Sequence, residues 1–302
     1  MKCRLIWPAM VVVMLVGLGC TATPPALMEM DAVRESVVIR SPESEIEVTW
    51  SEFVERADGV DVVVLGEMHD DHVGHLVQRA LLEDLVDRSS GVILALEMLE
   101  RDEQLVLDDY CDGLIDKDAF AKKTGSTSWA GEGSWDRWYQ PIIDVVNEGG
   151  GRVIAANAPR RYVRIARTEG WETLATLPDE RRRLVEWPDP PLEGDYKQRF
   201  IDLMDVDPDE LDLELVESYF RAQTTWDATM AGTIAAEHVP GQTTVLLVGQ
   251  FHSNFNGGTI EMLERYMPNA SMLVVTLRRD QDDPPDDPPP ADLVVDTWVE
   301  PR

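Results

Sequence analysis

Six short apolar runs recur along this chain of 302 residues, at 61–66, 92–97, 152–157, 244–249, 272–277 and 293–299. They are rich in Val, Ile and Leu and show little alternation with polar residues. A strand with one wet face alternates, whereas a strand covered on both faces does not. Longer stretches with helical spacing lie between them. "HLVQRALLEDLVDR" follows the first run, "PIIDVVNEGGG" is stopped by glycines before the third, and "SYFRAQTTWDATMAGTIAAEHV" precedes the fourth. Strands alternating with helices predict an α/β fold with a mainly parallel central sheet and helices on both faces. Two helical insertions are expected, at about 100–145 and 160–235.

The chain ends read differently. Lys2 and Arg4 precede an apolar stretch, 5–19, that stops at Cys20. That stretch falls short of the roughly 20 residues needed to span a bilayer and suits a secretory signal. Val16-Gly17-Leu18-Gly19-Cys20 resembles a bacterial lipobox, with Cys20 as the lipidated residue. Residues 1–19 are therefore expected to be a signal peptide and 20–44 a tether, with one short strand at 36–40. Thr21-Ala22 lacks the aspartate that marks inner-membrane retention, so the outer membrane is favoured as the anchor site. The folded domain is expected over 45–302, interrupted by an acidic, proline-rich loop at 280–292, "DQDDPPDDPPPAD". Of three cysteines, only Cys111 would remain unmodified in the mature chain, which excludes an internal disulfide and a zinc-thiolate cluster. The formal charge of −30 excludes nucleic acid as a partner.

In open α/β sheets, ligands bind beyond the carboxyl ends of the strands. The first run leads into Gly66-Glu67-Met68-His69, the second into Leu96-Glu97-Met98, the third into Asn157-Ala158-Pro159-Arg160, and the fourth into Gly249-Gln250-Phe251-His252. The pattern G-x-x-H thus occurs twice, each time directly after an apolar run. Its glycine is expected to let the chain turn off the strand. His69, His252, Glu67 and Glu97 form a candidate acid–base constellation for catalysis near neutral pH. His69, His252 and Glu97 are equally a candidate set of divalent-metal ligands. His72 and His75 are expected on the helix that follows, with solvent exposure as the simplest reading, and His238 at a helix end. "STSWAGEGSWDRWYQP" holds Trp129, Trp135, Trp138 and Tyr139 on a loop that runs into a helix. It can wall a flat apolar ligand or pin the first insertion to the sheet.

"VVVLGEMHDDHVGH", "LALEML", "VIAANAPRR", "AQTTWDATMA" and "VLLVGQFH", in that order, resemble the ChaN-type lipoproteins of the haem-binding uptake and Tiki superfamily. The resemblance covers roughly residues 45–278. It implies an α/β domain with helical insertions, a lipid anchor in the bacterial cell envelope, haem as cofactor in iron acquisition, a tyrosine iron ligand and a homodimer. Tyr139 is the first candidate ligand, from its aromatic setting, and Tyr110 and Tyr219 are the others. Trp138, Asn157, Arg160 and Asp227 are the further candidate cofactor-binding residues. The wider superfamily implies a second class of function. Tiki metalloproteases use paired G-x-x-H motifs with glutamates around a metal. Erythromycin esterases are similar in their glycine–glutamate–histidine start and use a histidine base. On that resemblance His69, His252, Glu67 and Glu97 would serve a hydrolase, with Asp227 supporting a histidine.

Overall fold

The computed structural model describes residues 30–44, 46–88, 91–125, 129–204, 212–279 and 290–297. The elements are α1 (Met30–Ser36), β1 (Val38–Ser41), β2 (Ile46–Val48), α2 (Trp50–Asp58), β3 (Val62–Glu67), α3 (His72–Arg88) and β4 (Val92–Glu100). Then come α4 (Gln104–Cys111), α5 (Lys117–Lys123), α6 (Gln140–Glu148), β5 (Arg152–Asn157), α7 (Arg160–Glu169), α8 (Trp171–Ala175) and α9 (Asp179–Arg182). The last are α10 (Asp195–Leu203), α11 (Leu213–Glu237), β6 (Thr243–Gly249), α12 (Thr259–Tyr266), β7 (Met272–Arg278) and β8 (Leu293–Asp296).

The sheet runs in the order β2-β1-β8-β7-β3-β6-β4-β5. The six strands from β8 to β5 are mutually parallel, and β1 and β2 add an antiparallel hairpin at one edge. The α/β fold expected from the apolar runs is present. Its strands are covered on both faces. Val63, Leu65, Leu94, Leu96, Val245 and Leu247 face one apolar core, and Val62, Val64, Ile93, Ala95, Leu246 and Val248 the other. The period-two geometry of a strand sends successive side chains to opposite sides, so both sides must be apolar. That is why these runs lack polar alternation.

α3 and α6 cover the first face, while α11 and α12 cover the second. α11 is 25 residues long and buries four threonines at 224, 225, 229 and 233. Each hydroxyl donates to the carbonyl four residues back, which satisfies a polar group that burial would otherwise strand. Asp212 caps its first turn by accepting from the Glu214 and Leu215 amides.

The start of the domain lies further back than expected. The segment read as a tether supplies α1 and β1, with Val33 and Ile39 buried and Arg34 paired to Glu83 and Asp84 of α3. The short strand expected at 36–40 is present as β1, whereas the seven residues of α1 are too few for a periodic pattern to show. The expected signal peptide, Cys20 and most of the acidic loop lie outside the described residues. The loop's last residues are tied down: the Val274 amide donates to Asp292 Oδ2, and the Phe255 amide to the Pro290 carbonyl. Among the described residues no helix is long and apolar enough to cross a membrane.

Candidate functional site

The carboxyl ends of β3, β6 and β4 lie side by side, and two carboxylate–imidazole clusters are built there. Glu67 closes β3 and is buried. Its Oε1 accepts from the Tyr139 hydroxyl at 2.7 Å and contacts His69 Nδ1 at 2.9 Å. Its Oε2 accepts from Gln78 Nε2 at 2.6 Å. His75 lies 3.7 Å from that same oxygen and stacks on Trp138 at 4.7 Å. Burial works to raise the Glu67 carboxyl, but the charge of His75 and the bonds from His69 and Gln78 outweigh it, leaving the pKa below the usual value. Burial likewise works against protonated His69, and its Glu67 partner and nearby Glu97 reverse the sign, so His69 is raised.

The second cluster stands on β6, β4 and α11. Asp227, fully buried, contacts His252 Nδ1 at 2.6 Å and accepts from Thr259 Oγ1 and the Tyr196 hydroxyl at 2.8 Å each. His252 Nε2 lies 3.5 Å from Glu97 Oε1. Glu97 Oε2 accepts from the Gly249 amide at 2.5 Å. Burial opposes the imidazolium of His252, but Asp227 and Glu97 outweigh it and carry the pKa to about 9.

The two motifs lock together through their glycines. Neither Gly66 nor Gly249 has a positive φ, so the expected sharp turn is not their purpose. Space is. A Cβ on Gly66 would lie 2.6 Å from Ser253 Oγ and 3.1 Å from Gln250 Cα of the other motif. A Cβ on Gly249 would lie 3.1 Å from His69 Nε2. Each motif occupies the room that the other's missing side chain leaves.

His69 and His252 line one open pocket of about 430 Å³ with Glu67, Met68, Gln223 and Phe251. Each imidazole has a carboxylate on Nδ1, which orients the ring; Nε2 of His252 contacts Gln223 and Glu97, while that of His69 is left for other work. His69 is the accessible one, with 39% of its side chain exposed against 8% for His252.

A second chamber adjoins the first at Gln223. It is a groove of about 530 Å³ between α7 and α11, lined by Arg160, Arg164, Arg167, Tyr219 and Trp226, with Phe200 of α10 at its side. The three arginines recur at i, i+4 and i+7, and Tyr219, Gln223 and Trp226 at i, i+4 and i+7, so one face of each helix builds it. Arg167 lies 4.6 Å from the Tyr219 ring centre. Arg160 lies 4.9 Å from the Trp129 ring, which meets His69 edge-on.

A family profile described as haem-binding uptake, Tiki superfamily, ChaN matches residues 53–263, more than two-thirds of the chain. The chain belongs to this family. No curated protein sequence matches it. Among solved structures, ChaN of Campylobacter jejuni, described for cofacial heme binding, aligns with a TM-score of 0.65 at 20% identity. That alignment covers 86% of this chain and 96% of the other. It shows a shared fold. The type III effector HopBA1 aligns at 0.47 and 12% identity, over 82% of this chain and 93% of its own. An erythromycin esterase mutant of EreC in its open conformation aligns at 0.46 and 14%, over 85% and 81%.

Several expectations for a ChaN-family site need revision. Tyr139 is fully buried and its hydroxyl is held by Glu67, so it is not presented to a ligand. Tyr110 donates to Asp144 at 2.6 Å. Asn157 is buried between backbones, donating to the Glu97 carbonyl and accepting from the Ala158 amide. Trp138 donates to His72 Nδ1 and packs on His75, which makes it a support for the Glu67 cluster. No group of three or more His, Cys, Asp or Glu among the described residues is arranged to hold a metal ion. The convergence of His69, His252 and Glu97 therefore does not support the divalent-metal expectation.

Sequence reading also missed partners. His75 is buried rather than exposed. Gln78, Tyr196, Gln223 and Thr259 hold the clusters in place. Gln78 carried a signal, a polar residue one turn from His75 on an otherwise apolar helix face. His238 ends α11, as expected, and contacts Thr244 Oγ1.

Proposed function

We propose that this protein binds haem in the groove between α7 and α11, with Tyr219 as the iron ligand. The observation that carries the reading is the setting of Tyr219. It is 40% exposed, it lines a groove, and its hydroxyl has no hydrogen-bond partner among the described residues. Tyrosine is one of the side chains that ligate haem iron. The groove's volume lies in the usual range for cofactor pockets, roughly 300–1,000 Å³. Trp226 and Phe200 offer apolar faces to a flat macrocycle. Bound haem would supply the iron centre, and this chain's residues hold and orient it.

Family membership supports the reading, as does the heme binding described for ChaN of Campylobacter jejuni. A haem lying in an open groove keeps one face uncovered, and a second loaded copy would cover it, so a homodimer belongs to the proposal. So does a place in iron acquisition at the bacterial cell envelope, most simply the outer membrane, through a lipid on Cys20. The apolar stretch before that cysteine supports the anchor. The test is a hemin titration of the purified protein, followed by absorbance. Saturable binding is expected, with iron–phenolate absorption lost in Tyr219→Phe and kept in Tyr139→Phe. Absence of any saturable spectral change would end the proposal.

One observation favours a second reading, a histidine-based esterase or peptidase. Two imidazoles, each oriented by a carboxylate, serve one pocket, which suits proton transfer. A panel of ester and peptide substrates tests it. Turnover lost in His69→Ala is expected, and no turnover by the unaltered protein on any substrate class would remove it.

A further inference from the structure

The lining of the groove carries more than a place for iron. The chain has 57 acids against 27 Lys and Arg, yet the groove is lined by three arginines and no acid. The adjoining pocket has a different lining, with Glu67 and Asp70 beside His69 and His252. Among the described residues no acid lies within ion-pair distance of Arg164 or Arg167, and Arg160 reaches Glu100 Oε1 only at 3.6 Å. Arg161, on the other side of the same helix, is paired to Asp102 at 2.6 Å. α7 thus turns its closely paired arginine away from the groove, and into it Arg164 and Arg167, which have no acid partner among the described residues, with Arg160, which keeps only a long pair to Glu100.

We infer that Arg160 and Arg164 form a carboxylate-binding subsite for a planar aromatic diacid seated in this groove. The inference rests on the haem reading and assigns the end of the groove that takes the acid groups. Residues at i and i+4 sit about 6 Å apart on one helix face, a separation that two carboxylates on one side of a macrocycle can match. Guanidinium groups bind carboxylates through paired N–H donors. Arg167 is stacked on Tyr219 and is left to position that ring. The acid end of the ligand then lies toward Arg160 and its Trp129 neighbour, and the centre of the ring lies toward Tyr219. Placement is by charge.

The experiment uses metal-free protoporphyrin IX and its dimethyl ester, which need no iron ligand, with quenching of tryptophan fluorescence as the readout. Binding of the diacid is expected to exceed that of the diester by about tenfold or more, a modest figure because the arginines are partly solvated. Arg160→Gln with Arg164→Gln should remove that preference and leave diester binding unchanged. Arg161→Gln, on the same helix, should change neither and controls for net charge and folding. Equal affinity of the double variant and the unaltered protein for the diacid overturns the inference while hemin binding at Tyr219 stands. Loss of diester and diacid binding together in the double variant also overturns it, because the arginines would then be structural. Absence of binding by either porphyrin and by hemin overturns both readings.

Discussion

Replacing Gly66 by alanine should destabilise the protein, and the same change at Gly249 should not. Both glycines lie at strand ends without positive φ, so alanine gains about 0.4–1 kcal/mol at each by restricting the unfolded chain. What differs is the neighbour. At Gly66 the new Cβ meets Ser253 Oγ at 2.6 Å and the Gln250 Cα at 3.1 Å, and Ser253 is fully buried. A backbone atom cannot step aside without moving the turn that carries His252. Overpacking of this kind costs about 1–3 kcal/mol, enough to exceed the gain. At Gly249 the neighbour is His69 Nε2 at 3.1 Å, the end of a side chain that is 39% exposed. The ring can swing outward, so stability should stay within about 1 kcal/mol of the parent. The swing has its own signature. His69 leaves Glu67, from which it draws part of its raised pKa, and its titration should move down. Urea unfolding gives the first quantity and histidine proton NMR the second. A Gly66→Ala protein as stable as the parent, or a reversed order of the two variants, would refute the interlocking of the motifs.

The paired histidine makes stability depend on pH. His252 stays protonated to about 9 in the fold, against 6.5 unpaired, so its contribution is whole below 6.5 and is lost as pH rises through 9. The difference corresponds to about 3 kcal/mol, and unfolding midpoints at pH 6 and 9.5 should show the decline, with a shallower one in Asp227→Asn. A flat profile would contradict the pairing. Tyr139→Phe removes a donor from buried Glu67 and should cost about 1–3 kcal/mol without changing hemin affinity. Equal thermal unfolding of variant and parent would show that the bond at 2.7 Å contributes nothing net. Tyr219→Phe should leave stability within about 0.5 kcal/mol, as surface changes do, while it removes the phenolate signal.

The sheet was legible because its signal is local. The six consecutive residues Val62–Glu67 are all buried, and for the apolar ones that requirement is written in the residues themselves. The site was partly legible for the same reason, since Glu67 and Glu97 close apolar runs, and His69 and His252 follow just after them, at strand ends that must lie together. What could not be read is what depends on helix rotation. His75 and Tyr219 both sit on helices, where a turn of about 100° per residue separates burial from exposure. His75 faces inward onto Trp138 and Tyr219 outward into the groove, whereas the sequence reads His75 as exposed and leaves Tyr219 only one candidate among three. Tyr139 misled because its tryptophan-rich neighbourhood suggests a ligand wall, whereas Trp135 and Tyr139 are core. The glycines of the paired motif misled through their commonest use. Their need for close approach appears only when β3 and β6 are set in register, Glu67 beside Gly249.

One helix decides how the two chambers divide. Asp227 points from α11 toward His252, and Tyr219, Ala222 and Trp226 of the same helix line the groove. Gln223 stands between them, within 3.1 Å of both the Tyr196 hydroxyl and His252 Nδ1. The chambers therefore share a wall but differ in charge, with three arginines lining one and carboxylates beside imidazoles lining the other. Unit charges 4 Å apart interact by about 4 kcal/mol at an effective dielectric constant of 20, so the identity of the nearest charged group dominates where an ion settles. On the proposed reading the acid groups of a diacid settle at the arginines, and a neutral ester or amide has no such preference and can reach His69. The two proposed functions would thus draw on different chambers, one lined by guanidinium groups and the other by carboxylate–imidazole pairs.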